Sequence, residues 1–248
     1  YKSGKVFLHA YLAFFVYNLI STWWIWNASP GGMIMALVAN SLLMALVFYF
    51  FHLIKKYVGK KEANIGFVLL WIAFEYCHFH WEVSWPWLHL GNAFARVPFL
   101  VQWYSYSGVL GGTLWVLLIN LITFWILSNV WYKKENWKIQ TPLFYLLGLV
   151  IFIPISLSIY QYFNYTDDSN NTINVQVLQP NIDPYGEKFS RPMDQQVNQM
   201  MQLSKMHLNQ TKEEVDLIVA PETSLSYEFY EEDLRSFSFF PALEEVVK

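Results

Sequence analysis

The sequence predicts a multi-span α-helical membrane bundle followed by the start of an α/β domain. Three observations predict it. Five apolar segments are each long enough to cross roughly 30 Å of hydrocarbon as helices. Charge is divided along the chain: residues 1–163 hold ten Lys and Arg against four Asp and Glu, and residues 164–248 hold six against fifteen, so +6 and −9 make up the net −3. All twelve tryptophans fall in the first part. The division gives a membrane domain over residues 1–163, a polar linker over 164–171, and a water-facing acidic domain over 172–248.

The spans are expected near Val6–Trp26, Met33–Ile54, Ile65–Trp81, Gly108–Val130 and Leu143–Phe163. Lysines mark alternate connections: Lys2 and Lys5 before the first span, Lys55, Lys56, Lys60 and Lys61 after the second, and Lys133, Lys134 and Lys138 after the fourth. The other connections, residues 27–32 and 82–98, carry Arg96 as their one Lys or Arg. By the positive-inside rule the lysine-rich connections are cytoplasmic, and everything after Phe163 lies outside.

The second outer connection concentrates aromatic residues, with Trp81, Trp85 and Trp87 around Pro86 and Phe94, Phe99, Trp103, Tyr104 and Tyr106 beyond Gly91. Composition favours an interfacial aromatic belt; the other reading is a re-entrant or surface-lying non-helical segment that shapes a lipid-accessible cleft. At the end of the third span, Glu75, His78, His80 and Glu82 have spacings that resemble those of metal ligands. The favoured reading is interface residues with Glu75 turned into the bundle, and no metal or cofactor is expected. Cys77, the single cysteine, falls inside a span; it is expected to be buried and inert, and it excludes an internal disulfide.

In the acidic part the period changes. Ile173, Val175 and Val177 alternate with polar residues up to Gln179, which predicts a strand. Pro180 and Pro184 break it into a loop. Met193, Val197, Met200, Met201 and Leu208 then recur at helical spacing from about Ser190 to Asn209. Asp216–Ala220 reads as a second strand, stopped at Pro221, with Glu222 just past it. Strand, helix and strand make a βαβ-like opening of a layered domain, and a carboxylate beyond a strand's carboxyl end is well placed for chemistry. The chain starts at Tyr1 and stops at Lys248 within what reads as a helix start, PALEEVVK, so a piece lacking both ends is expected. The sequence has neither a glycine-rich phosphate loop nor a basic stripe, and no nucleic-acid partner is expected.

Taken in order, these features resemble the apolipoprotein N-acyltransferase family. The residues that carry the resemblance are Leu178-Gln179-Pro180-Asn181-Ile182 after the first strand and Asp216 to Glu222 at the second. In the membrane part they are Glu75 followed by Trp85-Pro86-Trp87-Leu88-His89-Leu90-Gly91, and Pro98 to Gln102 leading into Gly108, Gly111, Gly112 and Asn120. The family joins a membrane bundle to an extracytoplasmic nitrilase-like (αββα) domain in the bacterial inner membrane, which implies that residues after about 164 are periplasmic. It also implies a multi-pass enzyme that moves an acyl chain from a phospholipid donor, through a cysteine thioester, to the N-terminal cysteine amine of a diacylglyceryl apolipoprotein acceptor.

By this resemblance Glu222 is the general base, which raises the reactive fraction of a thiol whose pKa is near 8.5. The family's oxyanion lysine and nucleophilic cysteine are expected beyond Lys248, and those roles do not pass to Lys212, Lys248 or Cys77. A piece without them is expected to be inactive alone. Lys188-Phe189 fits the family's loop aromatic, with Tyr185 as rival, so Phe189, Tyr185, Trp85 and Trp87 are the candidate substrate contacts. The chain departs from the family pattern at His78, where an arginine is usual. Two other readings remain: a membrane-anchored nitrilase-type amidase, and a non-catalytic membrane protein with an accessory domain.

Overall fold

The structure, a computed structural model, describes residues 3–82, 84–166, 172–183, 186–187, 190–210, 215–222, 230–238 and 240–241. The chain forms two compact units, divided between Thr166 and Asp167.

The first unit contains five helices: α1 Ser3–Thr22, α2 Pro30–Tyr57, α3 Lys60–Cys77, α4 Tyr104–Trp131 and α5 Thr141–Phe163. Four stretches, Ser3–Asn27, Pro30–Tyr57, Tyr104–Trp131 and Trp137–Phe163, are long and apolar enough to cross a membrane. Helix α3 falls outside that class, because its 18 residues include Lys60, Lys61, Glu62 and Glu75. It also stops at Cys77, short of the expected Trp81, and the chain turns over residues 78–82.

Helix ends follow local chemistry. Ser29 caps α2, its side chain accepting from the Gly32 N–H at 3.1 Å, with Pro30 in the first turn. Lys55 and Lys56 close the last turn, where cations complement the helix dipole. Within α4, Gly108 has φ 64 and breaks the helical path, so the long regular helix begins there and Tyr104–Ser107 is a separate turn. Only glycine adopts that backbone without strain.

Successive helices pack on one another: α1 on α2, α2 on α3, α3 on α4 and α4 on α5. Met44, Val47, Trp71 and Leu117 form the apolar core, with Phe14 and Phe67 against it. Polar side chains bond across the bundle between α1 and α2, as a low-dielectric interior favours. Asn18 on α1 donates to Ser41 Oγ of α2 at 3.1 Å, and Asn40 of α2 donates back to Asn18 Oδ1 at 2.7 Å. Between α4 and α5, Pro154 lacks the N–H that would occupy the Val150 carbonyl four residues earlier. The Trp115 indole N–H donates to that carbonyl at 2.6 Å. The proline's lost helix bond is thus replaced from the neighbouring helix.

The second unit holds β1 Val175–Val177, α6 Met193–Gln210 and β2 Leu217–Val219. Both strands are shorter than the alternation predicts, because ladder pairing extends over three residues: Val175 with Leu217, Gln176 with Ile218 and Val177 with Val219, in parallel. Val197, Met200 and Met201 of α6 pack with Met193 and Leu178, joined by Ile218 and Phe237. Gln176, buried in the same layer, donates to the Ser204 carbonyl of α6 at 3.2 Å. The β–α–β unit is therefore present. The helix start expected at PALEEVVK lies outside the described residues except for Pro241.

Candidate functional site

Glu75 is the polar centre of the first unit. A carboxyl in the last turn of α3 that is turned into the bundle is shut away from solvent, and its exposure is 2%. It is satisfied by three donors from three elements. Oε1 accepts from the Trp71 indole N–H, one turn earlier, at 3.0 Å and from the Leu90 backbone N–H at 2.9 Å. Oε2 accepts from the Thr113 hydroxyl of α4. Thr113 Oγ1 in turn accepts from the Gly91 N–H at 3.2 Å, and the Tyr104 hydroxyl donates to the Gly91 carbonyl at 2.9 Å.

These bonds fasten the aromatic connection to the bundle. That connection is a run of 3-10 turns, Pro86–Leu88, Leu90–Phe94 and Pro98–Leu100. Gly91 lies so close to α4 that a Cβ there would meet the Val109 carbonyl oxygen at 2.1 Å. The result agrees with the reading of a non-helical segment covered by protein, since a backbone of such turns leaves polar groups that need partners.

Four residues read for metal-like spacing separate into two pairs. Glu75 and His78 are buried, whereas His80 and Glu82 are exposed. Among the described residues, no group of three or more His, Cys, Asp or Glu is disposed to hold a metal ion. His78 Nδ1 instead faces the Trp81 indole N–H at 3.0 Å and the Trp85 backbone N–H at 3.2 Å, and the Ser84 hydroxyl donates to the His78 carbonyl. Nδ1 is therefore the acceptor nitrogen and Nε2 carries the proton. His89 stands beside it, with ring centroids 5.9 Å apart. Burial first, and the electrostatic influence of neighbouring His78 second, push the His89 imidazole down to about 4, so it is neutral at pH 7.

Cys77 corrects the sequence reading: its thiol is exposed. Two residues along a helix turn the side chain about 200°, so a helix that buries Glu75 directs Cys77 to the opposite face. The same spacing separates the two loop tryptophans. Trp85 is 7% exposed and packs on His78, with ring centroids 5.8 Å apart, whereas Trp87 is 51% exposed. Sequence reasoning does not name Thr113, and it names Tyr104 and His89 only within the aromatic cluster and the loop motif, without a role. A hydroxyl next to Gly111-Gly112 in an otherwise apolar helix was the signal available for Thr113.

In the second unit, Glu222 follows the carboxyl end of β2 by three residues and is exposed. The loop after β1 is held to α6 where Gln199 donates to the Pro180 carbonyl at 2.9 Å. Tyr185, Lys188 and Phe189 lie outside the described residues.

Comparison with known proteins gives two matches. Residues 2–122 match the family model described as apolipoprotein N-acyltransferase N-terminal domain. A relative from Chlorobaculum tepidum, named apolipoprotein N-acyltransferase, is 24% identical over 228 residues, which cover 91% of this chain and 42% of that protein. The chain thus spans less than half the length of the relative it matches. No solved structure matches it. The likeness over the membrane unit is thus to the apolipoprotein N-acyltransferase N-terminal domain, matched over residues 2–122.

Proposed function

We propose that the full-length protein is a lipoprotein N-acyltransferase of the bacterial inner membrane, to which this chain contributes the membrane unit and the opening of a nitrilase-like domain. In this reading α3 also spans, as the third of five, the lysine-rich connections are cytoplasmic, and residues after about 164 are periplasmic. The acyl chain passes from a phospholipid ester to a cysteine thiolate, releasing the lysophospholipid. The thioester then acylates the N-terminal cysteine amine of a diacylglyceryl apolipoprotein and regenerates the thiol. Glu222 takes the thiol proton and passes it to the departing lysophospholipid oxygen in the first half, and in the second it takes a proton from the attacking amine and passes it to the departing thiolate, which lets a group of pKa near 8.5 react at neutral pH. Neither Cys77, exposed on a helix of the membrane unit, nor any lysine of this chain is assigned to the reaction.

The observation that carries the reading is the place of Glu222, just beyond the carboxyl end of β2 in a parallel β–α–β unit, in a chain whose residues 2–122 match the family. The sheet adds support. Val175, Val177, Leu217 and Val219 are exposed on the face away from α6, an apolar surface that layered α/β domains bury. Trp87 and, in the loop after β1, Phe189 and Tyr185 are proposed to contact the acyl chain, with buried Trp85 supporting the turn that presents Trp87. Incubating the full-length protein with phospholipid tests the proposal. It predicts an acyl adduct cleaved by hydroxylamine, and a protein that forms none is not this enzyme.

A further inference from the structure

Around Glu75, three buried polar atoms have no partner among the described residues: Asn40 Oδ1 and both ring nitrogens of His89. Both residues are 3% exposed. The orientation of Asn40 is fixed by its neighbour. Asn18 uses its amide nitrogen to donate to the Phe14 carbonyl at 2.8 Å, so its Oδ1 must accept from Asn40 Nδ2, and Asn40 Oδ1 is the atom left facing away. A neutral imidazole likewise has one donor and one acceptor nitrogen to satisfy.

Asn40 and His89 line one small cavity, together with Glu75, His78, Met44 and Trp85. Its volume is about 10 Å³ for the centre of a water molecule, room for one molecule and too little for two. Native interiors rarely leave such atoms unsatisfied, and a water with two to four polar partners is the usual remedy.

We infer that this cavity binds a single ordered water that bridges Asn40 of α2, Glu75 of α3 and His89 of the aromatic connection. The water satisfies two of the three orphaned atoms, and the acceptor nitrogen of His89 is the one it does not serve. The water accepts from the N–H of His89 and donates one hydrogen to Asn40 Oδ1. Its other hydrogen goes to the Glu75 carboxylate, which has about four lone-pair sites and three donors already placed on them. The bridge has a structural consequence. Asn18, Asn40 and Ser41 tie α1 to α2, while Glu75, Thr113 and Gly91 tie α3, α4 and the aromatic connection. The water joins these two networks, which makes Asn40 and His89 positioning residues for the turn that carries Trp85 and Trp87.

Two measurements on the full-length protein in lipid nanodiscs test the inference. A structure at a resolution that shows water should place one density peak within hydrogen-bond distance of both Asn40 Oδ1 and a His89 ring nitrogen. An empty cavity, or a direct bond between Asn40 and His89, overturns it. Thermal melts of Asn40→Leu, His89→Phe and the double variant give the second readout. With a shared water, the double variant should melt no lower than the worse single one, and losses that add in full contradict the bridge. The wild-type structure decides alone if either variant fails to fold.

Discussion

The carboxylate of Glu75 holds the backbone N–H of Leu90, 15 residues further along the chain, at 2.9 Å. A side chain inside the bundle thereby dictates where the aromatic connection runs. Glu75→Leu leaves the Leu90 N–H, the Trp71 indole and the Thr113 hydroxyl without their acceptor, and removing one side of a buried polar network costs about 3–5 kcal/mol. Glu75→Gln keeps Oε1 for two of the donors, and Thr113 can rotate to accept from the new amide. Its cost should be about 1 kcal/mol. Thermal unfolding of the two variants in detergent, with tryptophan fluorescence reporting the connection, should show this order.

Trp115 and Pro154 form a second dependent pair. Trp115→Phe keeps most of the ring packing but orphans the Val150 carbonyl, at a cost of about 1–3 kcal/mol. Pro154→Ala supplies an N–H in the helix for that carbonyl. Trp115→Phe should therefore be much less damaging in the Pro154→Ala background, and a double-mutant cycle on unfolding midpoints measures the coupling.

Gly91→Ala tests the close approach of the connection to α4. The obstacle at 2.1 Å is a backbone oxygen, which cannot swing aside as the end of a flexible side chain can. The turn over residues 90–94 must shift, breaking the bonds to Thr113 and Tyr104, with a loss of about 1–3 kcal/mol. Proteolysis within residues 84–98 should become faster than in the wild type, while cleavage elsewhere is unchanged.

How much of this was legible in the sequence follows from what each feature depends on. Helices α1, α2, α4 and α5 are set by runs of apolar residues, a local property, and the inward Glu75 followed from the cost of a charge in such a run. The strands were located but drawn too long, because a strand's extent depends on the partner it pairs with and not on its own alternation. Membership in an apolar segment does not imply burial: Cys77, two residues from Glu75, falls on the opposite face. The Leu90 N–H leaves no pattern and Thr113 only its place beside Gly111-Gly112: a backbone amide and a single hydroxyl are recruited by tertiary contact. Glu222 was read from Pro221 at the end of an apolar strand, and it does follow β2.

His89 gives the unit a pH dependence of definite sign. Its imidazole titrates near the ordinary 6.5 when unfolded and near 4 when folded. Between those values the unfolded chain binds a proton that the folded one does not, so stability rises with pH. The contribution is complete above about pH 6.5 and is lost as pH falls toward 4, an effect on the order of 1–3 kcal/mol. Carboxylates titrate in part of that window too, so the measurement is a difference. The drop in melting temperature from pH 7 to pH 4.5 should be smaller in His89→Gln than in the wild type.

Glu222→Gln separates a proton-transfer role from a structural one. The residue is exposed beyond β2 and the substitution conserves size, so unfolding of the variant measured beside the wild type separates any structural loss from a kinetic one. If Glu222 is the base, single-turnover acylation of the full-length enzyme should slow by about 10²–10⁴-fold at neutral pH. The loss should then shrink with rising pH, because a thiol approaching its own pKa near 8.5 ionises without help. A variant that is slow by the same factor at pH 7 and pH 9 has lost something other than its base. One that forms the adduct at the wild-type rate removes Glu222 from the reaction altogether.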